Sequence, residues 1–173
     1  IENRNASGNV TQQLVYSAVY INAYIERDRD TNNDGTLEER LYLEQDANYN
    51  VTAIATTGGS VAERFQYDAY GAQTVLTSGW IAPTDAYGLL QGAQGGKLDQ
   101  VTGLYHFGVR DENVSQMHWV QQDPEHYVDS SNLYEFEMSS PLINLDPVGT
   151  TIWTGRYFAG TVEDDRSILL GQL

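Results

Sequence analysis

Hydrophobic and polar residues alternate along most of this chain with the period of two that predicts β-strands. Residues 15–25 (VYSAVYINAYI) are rich in aromatic and β-branched side chains, which favour a strand. A further strand is predicted at 37–43. No segment keeps a helical period over three turns, and the Gly- and Ala-rich residues 77–97 are expected to be irregular. The pattern therefore predicts an all-β chain.

A β-hairpin is predicted between residues 49 and 67. Residues 49–56 (YNVTAIAT) alternate, and one face of this strand carries Val51, Ala53 and Ala55. TGGS at 57–60 supplies two glycines for a short turn. The returning strand, 61–67, places three apolar residues on one face, namely Val61, Phe65 and Tyr67. Glu63 interrupts that face, so the pattern leaves the register of the hairpin open.

Charge and composition narrow the classes of function. The chain has 24 acidic and 9 basic residues, a net charge of −15, and such a surface repels phosphate backbones and disfavours nucleic-acid binding. Cysteine is absent, which excludes disulfides and thiolate metal sites. No apolar run approaches the roughly 20 residues of a transmembrane helix, so no membrane span is expected. The chain opens at Ile1 without an initiator Met or a signal peptide, which suggests processing or a longer parent chain.

Three short segments carry recognisable motifs: YDAYG at 67–71, LDQVTGLYHFGVR at 98–110 and NLYEFEMSSPLINLDPVGT at 132–150. Together they resemble the C-terminal core of the RHS (YD-repeat) proteins. That core reads Y-D-x-Y-G, x-D-x-x-T-G-L-Y-Y-x-x-x-R, D-P, N-L-Y-x-Y-x-x-x-x-P and D-P-x-G-L. The matching residues are Tyr67, Asp68, Tyr70, Gly71, Asp99, Thr102, Gly103, Leu104, Tyr105, Arg110, Asp123, Pro124, Asn132, Leu133, Tyr134, Pro141, Asp146, Pro147 and Gly149. The match has no gaps from about residue 98 to 150 and extends more loosely back to about residue 15.

The resemblance implies a fold and a role. Antiparallel β-hairpins, arranged as a meander, would form part of a spiral RHS/YD-repeat β-shell that encloses a C-terminal polypeptide such as a bacterial toxin or effector. On this basis the chain divides into YD-repeat-like hairpins at 1–97, the RHS-associated core at 98–150 and a short tail at 151–173. The tail is too short to form a toxin domain, so the cargo has been removed or this chain carries none.

The resemblance also implies self-cleavage. The family core cuts its own chain just after the D-P-x-G-L motif with two aspartates and an arginine, which align with Asp123, Asp146 and Arg110. The scissile bond is then Thr150–Thr151, and the activity is that of a single-turnover aspartic autoprotease acting in cis. Two carboxylates that share a proton have their pKa values driven apart, so one can activate water while the other donates a proton. An arginine can hold one carboxylate ionised or stabilise charge on the scissile carbonyl.

A second interpretation stays open. Residues 146–149 (DPVG) match a common type I turn, and the turn alone would explain them. Two positions depart from the family pattern: Thr150 replaces its Leu, and MHW at 117–119 replaces its G-R-F. The alternative is an extracellular structural or adhesive β-protein that assembles with itself, in which the protease residues serve only packing.

The segment DTNNDGTL contains alternating polar residues typical of the first half of a calcium loop, namely Asp30, Asn32 and Asp34. Position twelve of such a loop requires a bidentate Glu, and here it is Leu41. The sequence therefore favours a polar hairpin turn without a cofactor. Calcium binding remains the alternative, in which Glu38 or Glu39 would assist.

Partners are expected at strand edges. A segment cut from a spiral sheet leaves two edges with unpaired N–H and C=O groups, and the apolar face of strands such as 51–55 would need covering. The remainder of a larger chain, or identical copies of this one, would satisfy these edges, and repeated addition that does not close gives a filament. The resemblance implies a location outside the cell or at its surface.

Overall fold

The computed structural model describes residues 1–81 and 85–154, and in these ranges the chain is built from antiparallel β-strands. A seven-stranded sheet takes its strands in chain order: β1 (Glu2–Arg4), β2 (Val10–Tyr16), β3 (Tyr24–Arg29), β4 (Glu39–Gln45), β5 (Val51–Thr56), β6 (Val61–Tyr67) and β7 (Gln73–Thr77). A four-stranded sheet has the order β11-β10-β9-β8, from β8 (Lys97–Asp99), β9 (Leu104–Phe107), β10 (Arg110–Asn113) and β11 (His118–Trp119). A third sheet pairs β12 (Asn144–Leu145) with β13 (Trp153–Thr154).

Two short 3-10 turns, Ala93–Gly95 and Glu137–Ser139, are the helical elements of the described part. The prediction of an all-β, antiparallel meander is therefore confirmed. No helix within these ranges is long and apolar enough to cross a membrane.

The strand predicted at 15–25 is wrong as a single element. The chain leaves β2 after Tyr16 and enters β3 at Tyr24, and the connection closes with a bond from the Ser17 N–H to the Ala23 carbonyl (2.7 Å). The two ends of the run do form strands, since Tyr16 of β2 pairs with Tyr24 of β3. Tyr20, in the connection, is buried with Ala23 in a small cluster around Leu145, where its ring stacks on Tyr49 at 3.8 Å. The β-rich composition therefore reflects strand pairing at the ends and packing in the middle.

The predicted hairpin of residues 49–67 is present as β5 and β6, joined through TGGS, but its register differs from simple alternation. The β4–β5 pairing shifts between Glu44 and Gln45, and the β5–β6 pairing shifts between Ile54 and Ala55. Val51 and Ala53 are buried as the alternation predicts, and the bulge after Ile54 buries Ile54 as well, whereas Ala55 is only partly buried.

Segment 85–96 covers the core face of the large sheet. Leu89 is buried in the same cluster as Val51 and Ile54. Glu63, which interrupts the apolar face of β6, is buried there and accepts the Ala86 N–H at 2.7 Å. The irregular segment expected from its Gly and Ala content thus forms part of the core. The apolar face of β5 is covered from within the chain, whereas β1 and β7 remain edge strands.

The small four-stranded sheet holds an aromatic core. Its buried members are Ala93, Tyr105, Phe107, Trp119 and Phe136. Phe136 meets the Trp119 ring edge to face at 4.8 Å. Residues 132–136 join this sheet through an isolated bridge between His118 and Glu135 rather than as a regular strand. The reason lies directly after them, where three consecutive positive φ angles at Glu137–Ser139 (50°, 53° and 53°) turn the chain away from the sheet.

Candidate active site

The site is built where the β9–β10 hairpin meets the 146–149 turn. The turn of the β9–β10 hairpin contacts the 146–149 turn directly, since the Val109 N–H donates to the Val148 carbonyl at 3.0 Å. A Cβ at Gly108 would lie 2.7 Å from the Val148 oxygen, and one at Gly149 would lie 2.7 Å from the Phe107 oxygen. Both glycines also have positive φ angles (64° and 78°), so the close contact of the two turns requires glycine on each side.

Arg110, the first residue of β10, is the centre of the site, and it is only 2 % exposed. Its Nη1 lies 2.9 Å from Asp123 Oδ2 and its Nη2 lies 2.8 Å from Asp146 Oδ2. Its Nε donates to the Gly149 carbonyl at 2.7 Å. The face of the guanidinium lies over Trp119, with Cζ 4.3 Å from the ring centroid. One cation is thus fixed between two carboxylates and the backbone of the turn.

Asp146 begins the turn and is 1 % exposed. Its Oδ1 accepts the N–H groups of Gly149 and Thr150, each at 2.9 Å. Burial raises the pKa of Asp146, and the hydrogen bond from Thr150 and the charge of Arg110 oppose that rise. The carboxyl group therefore contacts the residue before the Thr150–Thr151 bond and has an increased affinity for a proton.

Asp123 reaches the same arginine from another part of the chain. Its N–H donates to the Leu133 carbonyl at 2.9 Å, which fixes the backbone. Its Oδ1 accepts the Glu125 N–H at 2.8 Å, which leaves Oδ2 for Arg110. The structure thus brings together all three residues that the sequence alignment singles out.

Both sides of the Thr150–Thr151 bond are held. On one side the Thr150 N–H binds Asp146, as described above. On the other, the Ile152 N–H donates to Asp129 Oδ2 at 2.9 Å, and Trp153 pairs with Leu145 in the small β12–β13 sheet. The predicted tail, 151–173, is described as far as Thr154, and its remainder lies outside the described residues.

Glu137 is a further acid at the site that the sequence did not reveal. It is fully buried, its Oε1 accepts the Asp146 N–H at 2.9 Å, and its Oε2 accepts Gln94 Nε2 at 2.9 Å. Burial raises the pKa of Glu137 well above its usual value. In sequence Glu135 and Glu137 look equivalent on either side of Phe136. Only the backbone turn at 137–139 directs the second one inward, and no sequence signal marks that turn.

The loop with the calcium-like pattern is a network of hydrogen bonds. Asp30 Oδ1 accepts the Asn32 N–H at 3.2 Å and the Asn33 N–H at 2.6 Å, and the Asn32 amide donates to Asp34 Oδ2 at 3.2 Å. Carboxylate oxygens of Asp30, Asp34 and Glu38 lie within 4.8 Å of one another, and they form the group in the described ranges that could hold a metal. Glu39 is engaged elsewhere, in an ion pair with the buried Arg27 at 3.0 Å.

No family model matches the chain. In sequence it is 24 % identical over 168 residues to the tRNA3(Ser)-specific nuclease WapA of Bacillus spizizenii, covering 87 % of this chain and 7 % of that protein. It is 25 % identical over 119 residues to the tRNA(Glu)-specific nuclease WapA of Bacillus subtilis subsp. natto, covering 66 % of this chain and 5 % of the relative. The chain therefore spans less than a tenth of the length of these relatives.

Solved structures share the fold. A TcdB2–TccC3–TEV crystal structure superposes with a TM-score of 0.63 at 22 % identity, covering 84 % of this chain and 7 % of that one. The Photorhabdus luminescens Tc holotoxin pore, with an aspartate-to-alanine change in TccC3, gives a TM-score of 0.56 at 16 % identity, covering 95 % and 10 %. These likenesses support an RHS-like fold.

Proposed function

We propose that this chain is a segment of an RHS-type β-shell that encloses a C-terminal polypeptide, and that it cleaves its own backbone after Thr150. One observation carries the cleavage proposal: Arg110 joins Asp123 and Asp146 directly beside the turn that ends at Thr150. The three residues come from separate parts of the chain, and their charged atoms meet within hydrogen-bonding distance in a buried place.

The proposed chemistry is hydrolysis of the Thr150–Thr151 peptide bond. Asp123, which binds Arg110, takes a proton from water as the water oxygen attacks the Thr150 carbonyl carbon. Asp146, whose burial favours the protonated form, gives its proton to the departing Thr151 nitrogen. Arg110 already donates to the neighbouring Gly149 carbonyl, so its charge lies close to the oxygen that becomes negative.

After cleavage of the Thr150–Thr151 bond, the segment that begins at Thr151 stays bound to the rest of the chain. Trp153 of β13 pairs with Leu145 of β12, and Asp129 binds the Ile152 N–H, so contacts downstream of the bond hold the new N-terminus in place. The carboxylates and the arginine then stay beside the product, which fits a reaction that each chain performs once.

The relatives support enclosure as the role of the segment, outside the cell or at its surface. The names of the sequence relatives specify tRNA nucleases, whereas this segment carries a net charge of −15, which opposes contact with a phosphate backbone. A nuclease activity would therefore belong to another part of such a protein. One of the matching structures is TcdB2–TccC3 without its hypervariable C-terminal region, which fits a constant shell with a variable passenger.

Mass spectrometry tests the cleavage proposal directly. The chain is expressed with a C-terminal extension, and the expected products end at Thr150 and begin at Thr151. Samples stay near neutral pH throughout, because the Asp-Pro bonds at residues 123–124 and 146–147 are labile in acid. Recovery of only the intact wild-type chain, folded by circular dichroism, would overturn the proposal.

The structural or adhesive alternative has one observation in its favour. Among the described residues, β1 and β7 each pair with one neighbour, which leaves both edges of the large sheet available to a further strand. Intact mass of the natural protein separates the two functions, because cleavage and a missing passenger both change it, whereas a purely structural protein keeps its full mass.

A further inference from the structure

A polar cavity lies apart from the proposed cleavage residues. A small cavity of about 20 Å³ opens between β10, the 69–71 turn and segment 136–142. Its polar lining comes from Asn48, Asn50, Asp68, Gln94 and Glu112. Its walls include the rings of Tyr70, Phe107 and Phe136. Arg110, Asp123 and Asp146 do not line it, and none of the described lining residues is basic.

Two buried oxygen atoms at this cavity lack partners. Glu112 is 1 % exposed and Gln94 is 3 % exposed, and the Oε1 atom of each has no hydrogen-bond partner among residues 1–81 and 85–154. The Glu112 carboxyl group lies at the cavity wall, since its Oε2 is 4.0 Å from the position of a Cβ on Gly71. Gln94 directs its amide nitrogen away, to Glu137 Oε2 at 2.9 Å. A buried acceptor without a donor is costly, and an ionised one is more so.

The charges around the cavity are all of one sign. Asp68 lies exposed at its opening, and its Oδ1 accepts the N–H groups of Tyr70 and Ala72, each at 2.9 Å. Burial, followed by the negative charge of Asp68, raises the pKa of Glu112 to about 9. A positive ligand would satisfy the unpaired oxygens and relieve this repulsion at the same time.

We propose that this cavity binds a water-sized monovalent cation such as K⁺ or NH₄⁺, with the Glu112 carboxylate as its main ligand. The size fits, because a cavity of roughly 10–15 Å³ already holds one water-sized occupant. Amide oxygens and aromatic faces complete the surroundings, and ring faces attract weakly hydrated cations. A divalent ion is disfavoured, because such ions require several carboxylate or water oxygens around them, and the cavity buries a single carboxylate.

Thermal unfolding of the full chain in matched salts tests the proposal at about pH 9, because at lower pH the folded Glu112 holds a proton that a bound cation must displace. The chloride salts of K⁺, NH₄⁺, Na⁺ and choline are compared at about 150 mM, where long-range screening is equal. EDTA keeps the Asp30 loop free of divalent ions. Choline is too large for the cavity, so at least one small cation is expected to raise the Tm above the choline value by about 3–6 °C, as for a ligand near ten times its Kd. The rise should saturate with concentration.

Glu112→Gln removes the charge and keeps the shape, so the Tm difference between salts should vanish. Glu44→Gln makes the same charge change on the exposed side of β4 and should keep the full difference. Equal wild-type Tm values in all four salts, or a difference that survives Glu112→Gln, would overturn the proposal. If Glu112→Gln does not fold, Asp68→Asn serves as the test variant. Loss of its charge at the cavity opening should raise the cation concentration that gives half of the Tm rise (the half-effect concentration) at least about threefold. An unchanged half-effect concentration there overturns the proposal as well.

Discussion

Asp146→Asn is the most informative perturbation of the proposed cleavage site. Asparagine has nearly the same shape as aspartate, but it has one acceptor oxygen and no negative charge. In the wild-type chain the two oxygens of Asp146 serve different donors, since Oδ2 binds Arg110 and Oδ1 binds the N–H groups of Gly149 and Thr150. An asparagine can satisfy one side only. Its amide nitrogen must then face either the guanidinium or the turn.

The cost in stability follows from these contacts. A hydrogen bond to a charged group contributes about 1.5–3 kcal/mol, and the asparagine leaves one such contact, to Arg110 or to the turn, unmade. Arg110 keeps its second carboxylate, Asp123, so we expect a loss of about 3 kcal/mol. For a chain of this length that lowers the Tm by roughly 6–12 °C. The cleavage rate should fall at least about 100-fold, because the proposed proton donor is gone.

Thermal unfolding measures the loss of Tm, and a time course after pulsed cell-free translation measures the cleavage rate. Cleavage of a chain with a C-terminal extension is followed by mass at neutral pH and at a temperature well below the Tm of the variant. Asp111→Asn is the matched control, since Asp111 is partly exposed on β10 and binds only His106 and Gln121 around its side chain. It should cleave at the wild-type rate. Wild-type cleavage by folded Asp146→Asn would refute the role of Asp146.

Four further outcomes are expected. Asp129→Ala removes the acceptor of the Ile152 N–H and should slow cleavage several-fold in the same time course; an unchanged rate contradicts the idea that Asp129 holds the downstream side. Raising the pH towards about 9 in choline should lower the Tm, because the pKa of Glu112 is raised from 4.5 to about 9 in the folded chain. That stabilisation is complete below the unfolded value and is lost as the pH rises through about 9, so Glu112→Gln should flatten the profile. Millimolar calcium should leave the Tm unchanged, and a rise that saturates and disappears in Asp34→Ala would show instead that the loop binds the ion. Light scattering at micromolar concentration should give a mass above 19.3 kDa, because β1 and β7 are open edges; a stable monomer that melts cooperatively contradicts this.

The sequence predicted the strand content because period-two alternation is a local property. The ends of β4, β5 and β6 lie within two residues of the strand ends predicted from the sequence. The alternation failed to predict structure where contacts between distant parts of the chain determine it. In the middle of residues 15–25, Tyr20 packs around Leu145, more than a hundred residues away, and the sequence pattern cannot distinguish such packing from a strand. The register of β5 likewise depends on two bulges that no single strand encodes.

The candidate site was accessible from sequence only through motifs. The alignment with RHS proteins selected Arg110, Asp123 and Asp146, and nothing in their spacing shows that one guanidinium would contact both carboxylates. The other side chains that contact the site match no fixed position of the sequence motifs. Glu137 and Asp129 enter the site through backbone turns, and Gln94 through a Gly-rich segment that reads as an irregular loop.

The energetics of the cluster bear on the choice between the protease and the packing interpretation. A buried arginine with two carboxylates is a costly way to fill a core, because apolar side chains of similar volume are often neutral or more stabilising in such places. Here the same region also buries Glu137 and holds three consecutive residues at positive φ, each at a cost of about 1–2 kcal/mol. Packing alone requires none of these features. The proposed hydrolysis uses an acid with a raised pKa, a second carboxylate and a fixed positive charge. Asp146 binds the Thr150 N–H, and Arg110 joins the two carboxylates and binds the Gly149 carbonyl. The proposed cleavage would therefore account for costs that packing does not explain.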